Sequence, residues 1–195
     1  MKRAKSNRPK ECPYVGKGGL KLQFALEHFG LDVRGLVAAD LGCHVGGFTD
    51  CLLQHGAAKV YAVDTAYGLL EWKLRTDSRV EVYERTNALH WAPPDPLDVI
   101  VSDLGWTKQE KSLPVIVGML KEGGRALSLV KPQYEVEWDR SARRVVPEEQ
   151  IPEVLAEVRS RCPEELTILG EARSPYPGNG GNIEYWLLLE LRIKT

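Results

Sequence analysis

Short apolar runs, each closed by a charged or turn-forming residue, alternate along this 195-residue chain with stretches of helical periodicity. That alternation leaves few folds open: it predicts a sheet of mainly parallel strands flanked by helices. Strands are expected near 36–41 (LVAADL), 59–63 (KVYAV), 80–84 (VEVYE), 97–102 (LDVIVS), 125–130 (RALSLV), 166–171 (LTILGE) and 184–193 (EYWLLLELRI). Helices fit near 18–29, 47–55, 67–75, 112–121 and 148–161. In the first, Leu20, Phe24, Leu26 and Phe29 form an apolar stripe and Gly30 is placed to end the helix. In the last, Ile151, Val154, Leu155 and Val158 do the same, with Pro147 suited to the first turn. The run PYPGNGGN (175–182) reads as the turn of a hairpin between the last two strands.

Bulk composition narrows the class. The length and a hydrophobic content of 43% suit one domain with a full core. No run approaches the ~18 apolar residues of a membrane span, and the charges of MKRAKSNRPKE lead into no apolar stretch, so no secretory signal is expected. Cys12, Cys43, Cys51 and Cys162 form no C-x-x-C pair, which argues against zinc or a disulfide framework and for a reducing, cytoplasmic setting. Charge is uneven. Residues 1–21 carry seven Lys or Arg against Glu11 alone, while the rest carry nineteen against twenty-six acids. Residues 1–13 read as a basic tail ahead of a domain at 14–195. Such a distribution fits an anionic partner, or a solvated terminus.

The turn at residues 38–50 (AADLGCHVGGFTD) joins a strand to a helix. Asp40 closes the strand, Gly42, Gly46 and Gly47 bracket the turn, and Phe48 opens the helix. Glycines let backbone approach a ligand, and a helix start offers unpaired N–H groups. The G-x-x-x-G-G spacing departs from the dinucleotide pattern and better suits a loop around the methionine part of S-adenosyl-L-methionine. An ordinary strand-to-helix turn would also carry glycine. Asp64, closing the next strand, is placed to accept from both hydroxyls of a ribose, or to cap a helix. Asn87 is placed to meet an adenine edge through its amide.

Asp103 and Lys131 each follow an apolar strand, at the carboxyl ends where open α/β sheets bind ligands. Pro132 holds Lys131 extended. Beside the cofactor's positive sulfonium or another lysine, the Lys131 ammonium would be disfavoured and its pKa lowered, making it a usable base. A solvated strand end is the plainer reading of Lys131, and a helix cap that of Asp103.

The runs YVGKGGLKLQFAL, DLGCHVGGFTDCLLQHGAAKVYAVDTAYGLLEWKLRTDSRVEVYERTNAL, VSDL, LVKPQYE and GNGGNIEYW together cover most of residues 14–190. They closely resemble the hemolysin A-type (TlyA) branch of the FtsJ-like RNA ribose 2′-O-methyltransferases. The resemblance implies a Rossmann-like, seven-stranded methyltransferase sheet with helices on both faces, S-adenosyl-L-methionine as cofactor and RNA, ribosomal in that branch, as substrate. The family's Lys-Asp-Lys-Glu tetrad falls on Lys21, Asp103, Lys131 and Glu184. By that analogy Lys131 deprotonates the ribose hydroxyl, Asp103 and Lys21 orient and tune it, and Glu184 steadies the lysines. Three departures stand out. A family RNA-binding module of the S4 type is not recognisable ahead of the domain, where a short basic tail stands instead, and recognition would fall to that tail or to a protein partner. Cys43-His44-Val45 occupies the glycine loop, and GWTKQEK follows Asp103 where the family tends to be apolar.

His44 could serve as an acid or base near the cofactor, but a loop-packing role is the plainer reading, as small-residue packing is for Cys43. Trp106, Tyr134 and Trp138 could stack on a splayed base or simply be buried. With Lys17, Arg140, Arg143 and Arg144 they outline an RNA-facing surface. A methyltransferase acting on a small molecule and a non-catalytic cofactor- or RNA-binding protein are the competing readings.

Overall fold

The computed structural model describes residues 12–137 and 145–193. Most of the basic tail, with Trp138, Arg140, Arg143 and Arg144, lies outside these residues. Among the described residues seven strands form one sheet: β1 (Val37–Leu41), β2 (Lys59–Val63), β3 (Val80–Tyr83), β4 (Leu97–Ser102), β5 (Leu120–Val130), β6 (Leu166–Arg173) and β7 (Tyr185–Leu191). The spatial order is β3-β2-β1-β4-β5-β7-β6. The pairs among β1 to β5 are parallel, while β7 runs antiparallel to both β5 and β6. The glycine-rich turn after Arg173 thus makes the expected hairpin, and its second strand slots between β5 and β6.

Register decides which residues meet. Leu41 pairs with Val63 and Ser102, Ser102 with Ser128, and Val130 with Tyr185. The residues just beyond those ends, Gly42, Asp64, Asp103 and Lys131, therefore emerge along one edge. Because β7 is reversed, Glu184 enters that same edge just before its strand begins.

Side chains alternate across the sheet and build two apolar layers. Ala38, Val60, Val99, Leu127 and Trp186 pack under α1 (Gly18–Phe29), α2 (Gly47–Gln54) and α3 (Trp72–Arg75). Ala39, Tyr61, Ile100, Ala126 and Leu187 pack under α4 (Gln109–Met119) and α6 (Ile151–Ser160). The four-residue α5 (Pro132–Glu135) lies between those two helices in sequence. Each fully buried Leu or Ile in these layers is worth about 1.5–3 kcal/mol. Among the described residues no helix is long and apolar enough to cross a membrane.

Several expectations are corrected by packing. The buried stripe of α1 is Gly19, Leu22, Ala25 and Leu26, while Leu20, Phe24 and Phe29 are only partly covered. The helix nevertheless ends where expected, with Gly30 in the left-handed region at φ 61°. The helix expected over 67–75 shrinks to α3, because Gly68 turns left-handed (φ 72°) and its N–H is held by Glu84 at 2.7 Å. β5 begins at Leu120 and shortens the helix expected to run to 121. Pro147 precedes a short 3-10 turn, and Pro152 occupies the first turn of α6 instead.

Candidate active site

The four residues of the expected tetrad stand together at the strand edge as two ion pairs. Lys21 reaches across from the first turn of α1 and meets Glu184 Oε2 at 2.5 Å, with side-chain exposures of 13% and 2%. Lys131 pairs with Asp103 Oδ1, both largely covered. Charges this enclosed survive only when paired, since the cost of stripping water from either alone is several kcal/mol.

Burial pushes the Lys131 ammonium down, but the Asp103 charge and hydrogen bond, reinforced by Glu184, outweigh it and hold its pKa above the ordinary lysine value. The lowered value expected from the sequence is therefore not what the protein's own groups produce: two carboxylates face this lysine. Burial likewise lifts the Glu184 carboxyl above its usual range, against the pull of Lys21. Gly178 makes room for it. A Cβ there would lie 2.1 Å from Glu184 Oε1, so only glycine lets the 174–182 loop close over the carboxylate.

The tetrad sits at the junction of a two-part cleft with cavities of about 520 and 490 Å³, both walled by Gly42, His44, Asp103 and Lys131. One half adds Asp64, Thr65, Thr86, Asn87 and Leu89, and the other adds Gly16, Lys17, Lys21, Gly47, Phe48 and Glu184. Gly42 adopts φ 90°, and a Cβ would strike the Asp103 carbonyl at 2.6 Å, so this glycine lets the ends of β1 and β4 meet. Asp64 accepts from the His44 N–H at 2.8 Å and from the Ala66 N–H at 2.7 Å. Its carboxylate thereby ties the glycine loop to the next loop while still lining the cleft. Asn87 Oδ1 accepts from the Leu89 N–H at 3.0 Å, which leaves its NH₂ side as the part that can read a ligand.

Other expected ligands stand differently. Asp40 is fully buried beneath the loop, where its Oδ2 accepts from the Thr49 N–H (2.9 Å) and hydroxyl (2.7 Å); burial pushes it up to about 7. Gly46 (φ 95°) also lies off the cleft, and a Cβ there would hit Leu74 at 2.3 Å. Both shape the loop from behind. Cys43 is buried and its thiol is pushed far up by burial, which fits packing. His44 is exposed on a left-handed turn (φ 49°), and Lys17 is exposed at the start of α1. Phe48 is buried against Trp186, with centroids 5.5 Å apart.

Trp106 is 73% exposed, sits at φ 59°, and stacks on Tyr134 with centroids 5.0 Å apart. The Lys131 ammonium lies 5.7 Å from the Tyr134 centroid. An aromatic face is thus presented beside the paired lysine. Sequence reasoning missed Gly178, Gly16, Thr65 and Thr86 as site residues. For Gly178 the signal was present, since PYPGNGGN immediately precedes Glu184, but it was legible only as a turn.

The FtsJ-like methyltransferase family model matches residues 14–191. The chain is 40% identical over 185 residues to TlyA of Mycobacterium tuberculosis, a 16S/23S rRNA (cytidine-2′-O)-methyltransferase, covering 92% of this chain and 69% of that protein. It is 38% identical over 185 residues to YqxC of Bacillus subtilis, covering 90% of this chain and 65% of that one. The chain therefore spans about two thirds of the length of these curated relatives. A solved hemolysin-type structure from Streptococcus thermophilus superposes with a TM-score of 0.89 at 35% identity, over 95% of this chain and 70% of that one. With the family model matched over every strand of the sheet, and with such identity to TlyA and YqxC, this chain belongs to the FtsJ-like methyltransferase family, in its TlyA/hemolysin A branch.

Proposed function

We propose that the protein is an S-adenosyl-L-methionine-dependent ribose 2′-O-methyltransferase acting on ribosomal RNA. The observation that carries this reading is the pair of enclosed ion pairs, Lys131–Asp103 and Lys21–Glu184, at the junction of a cleft whose other half is lined by Asp64. The cleft fits the cofactor chemically. Asp64 offers a carboxylate to vicinal hydroxyls, Asn87 an amide and Leu89 an apolar wall to a base, and the 42–48 loop lies beside the tetrad. When bound, the cofactor supplies an electrophilic methyl group and a positive charge that opposes the carboxylates at Lys131.

Lys131 in its neutral form takes the proton of the ribose 2′-hydroxyl on Nζ. Asp103 aims that nitrogen and stabilises the ammonium that results. Lys21, fixed by Glu184, contributes positive charge where the alkoxide develops, so positioning and electrostatics supply the main acceleration. Trp106 on Tyr134 forms the face against which the target base stacks. Lys17 belongs to the RNA-facing rim, and Arg140, Arg143 and Arg144 are assigned to it from sequence. Residues 14–195 act as the catalytic domain, with the basic tail or a protein partner adding RNA recognition.

Methyl transfer from labelled cofactor to ribosomal RNA tests this, comparing the wild type with Lys131→Ala. Label in alkali-resistant dinucleotides, lost in the variant while cofactor binding persists, is the expected result. Cofactor binding without RNA labelling by the wild type, across naked RNA and both ribosomal subunits, would overturn it.

A further inference from the structure

A buried polar network lies behind the site that the tetrad does not use. Gln109, the first residue of α4, accepts from the Ser128 hydroxyl at 2.7 Å and donates its side-chain amide to the Leu129 carbonyl at 3.3 Å. Its backbone N–H donates to Glu135 Oε1 at 3.0 Å. Glu135 ends α5 and is only 8% exposed. The two partners anchor the two segments that matter most. Loop 103–108 carries Asp103 and Trp106 into Gln109, and residues 131–135 carry Lys131 and Tyr134 into Glu135.

The first N–H groups of a helix need acceptors, and a Ser, Asp or Asn at the cap position reaches the second or third of them but not the first, which here belongs to Gln109. Here Lys108 precedes the helix and gives no side-chain cap. The acceptor comes instead from 26 residues away, in a carboxylate that burial pushes up to about 7. Lys108 and Arg161 favour its charge and Glu110 opposes it, without cancelling the burial. A buried carboxylate spent on this one N–H, where no local cap side chain reaches, joins the start of α4 to the end of α5. Besides the Lys131–Asp103 pair and the Trp106–Tyr134 stack that it would align, the neighbouring ion pair of Lys108 with Glu137 at 2.7 Å ends on a carboxylate that is 92% exposed and contributes little.

We propose that Glu135 is a positioning residue: through the Gln109 N–H it sets loop 103–108 against residues 131–135, and so aligns Asp103 with Lys131 and Trp106 with Tyr134. The inference rests on the methyltransferase reading above for its kinetic consequence, but the bond itself is testable without any substrate. What the bond requires is an acceptor oxygen, so Glu135→Gln should keep it and Glu135→Leu should lose it.

The experiment combines RNA methylation kinetics with amide hydrogen exchange on the full chain. Glu135→Leu should lower kcat on the order of 10- to 100-fold, the scale of an ångström misplacement, with cofactor Kd within twofold of wild type. Glu135→Gln should retain at least a third of wild-type kcat. The Gln109 amide should exchange slowly in wild type and Glu135→Gln, which answers the question even if Glu135→Leu does not fold. A Gln109 amide exchanging as fast as open loop amides in the wild type would overturn the proposal. So would a Glu135→Leu enzyme with unchanged kcat, or a Glu135→Gln enzyme as impaired as the leucine variant. If no RNA is methylated by the wild type, the functional reading fails, while hydrogen exchange still decides the role of Glu135.

Discussion

Gly178→Ala should damage the site through one added methyl group. Gly178 has an ordinary φ of −74°, so alanine meets no backbone strain there, and the whole effect is spatial. The new Cβ would lie 2.1 Å from Glu184 Oε1 and 2.7 Å from its Cδ, distances that real side chains do not tolerate. Relief requires a displacement of about 1 Å, on the scale at which misplaced catalytic groups lose on the order of 100-fold in rate. Glu184 has nowhere easy to go, being 2% exposed and held by Lys21 at 2.5 Å. Loss of that buried pair would cost roughly 3–5 kcal/mol as an upper limit, and a shifted pair less. We expect kcat for RNA methylation to fall 10- to 100-fold, with the melting temperature reduced and cofactor Kd changed by less than threefold. Gly118→Ala, on an exposed helical position with nothing near its Cβ, is the matched control and should be neutral or slightly stabilising. In a double-mutant cycle, Gly178→Ala should add no further loss once Glu184 is alanine. Wild-type kcat in Gly178→Ala, or fully additive losses in the cycle, would refute the reasoning.

Three further outcomes are expected. Asp103→Asn leaves burial as the larger influence on Lys131, so the rising limb of rate against pH should move to lower pH while maximal kcat falls. The same variant should lose stability below the ordinary lysine value of 10.5, since a raised Lys131 pKa contributes there and is lost as pH climbs through its folded value. Asp64→Ala should raise cofactor Kd at least tenfold by calorimetry and destabilise the fold by about 1–3 kcal/mol in urea, because the His44 and Ala66 N–H groups lose their acceptor. Asp40, held up to about 7 by burial, keeps its proton longer in the fold than in the unfolded chain, so stability should decline from about pH 4 to pH 7. Asp40→Asn should flatten that decline in urea titrations across the window, with Glu135 supplying the remaining slope.

The sequence was most legible where one local rule dominates. Strand 97–102 and helix 18–29 keep their expected bounds, because an apolar run ending in Ser102-Asp103 and a helix stopped by Gly30 need no distant partner to define them. Asp103 and Lys131 were legible as residues that close apolar strands, whereas Lys21 and Glu184 were reached through the family resemblance alone. What distant contacts decide was not legible. Glu84 holds the Gly68 N–H and pairs with Arg75, which turns most of a helical-looking run into a strap under the glycine loop. The covered face of α1 is set by the close approach of Gly18 and Gly19 to Gly47, where a Cβ would lie 3.0 Å from the Gly19 nitrogen, and this favours Leu22 over the larger Phe24. The direction of the Lys131 shift depended on two acids 28 and 53 residues away in the chain, which no local pattern reveals.

The Lys21–Glu184 pair spans 163 residues of chain. During synthesis the glycine loop, Asp64 and Asp103 all leave the ribosome long before Glu184 does. A nascent or truncated chain stopping short of β7 holds Lys21 without its counter-charge and leaves β5 as an open sheet edge. Such fragments lack Glu184 and cannot assemble the ion pair at the junction of the cleft. The order of residues along the polymer thus makes this ion pair wait for the segment that enters β7.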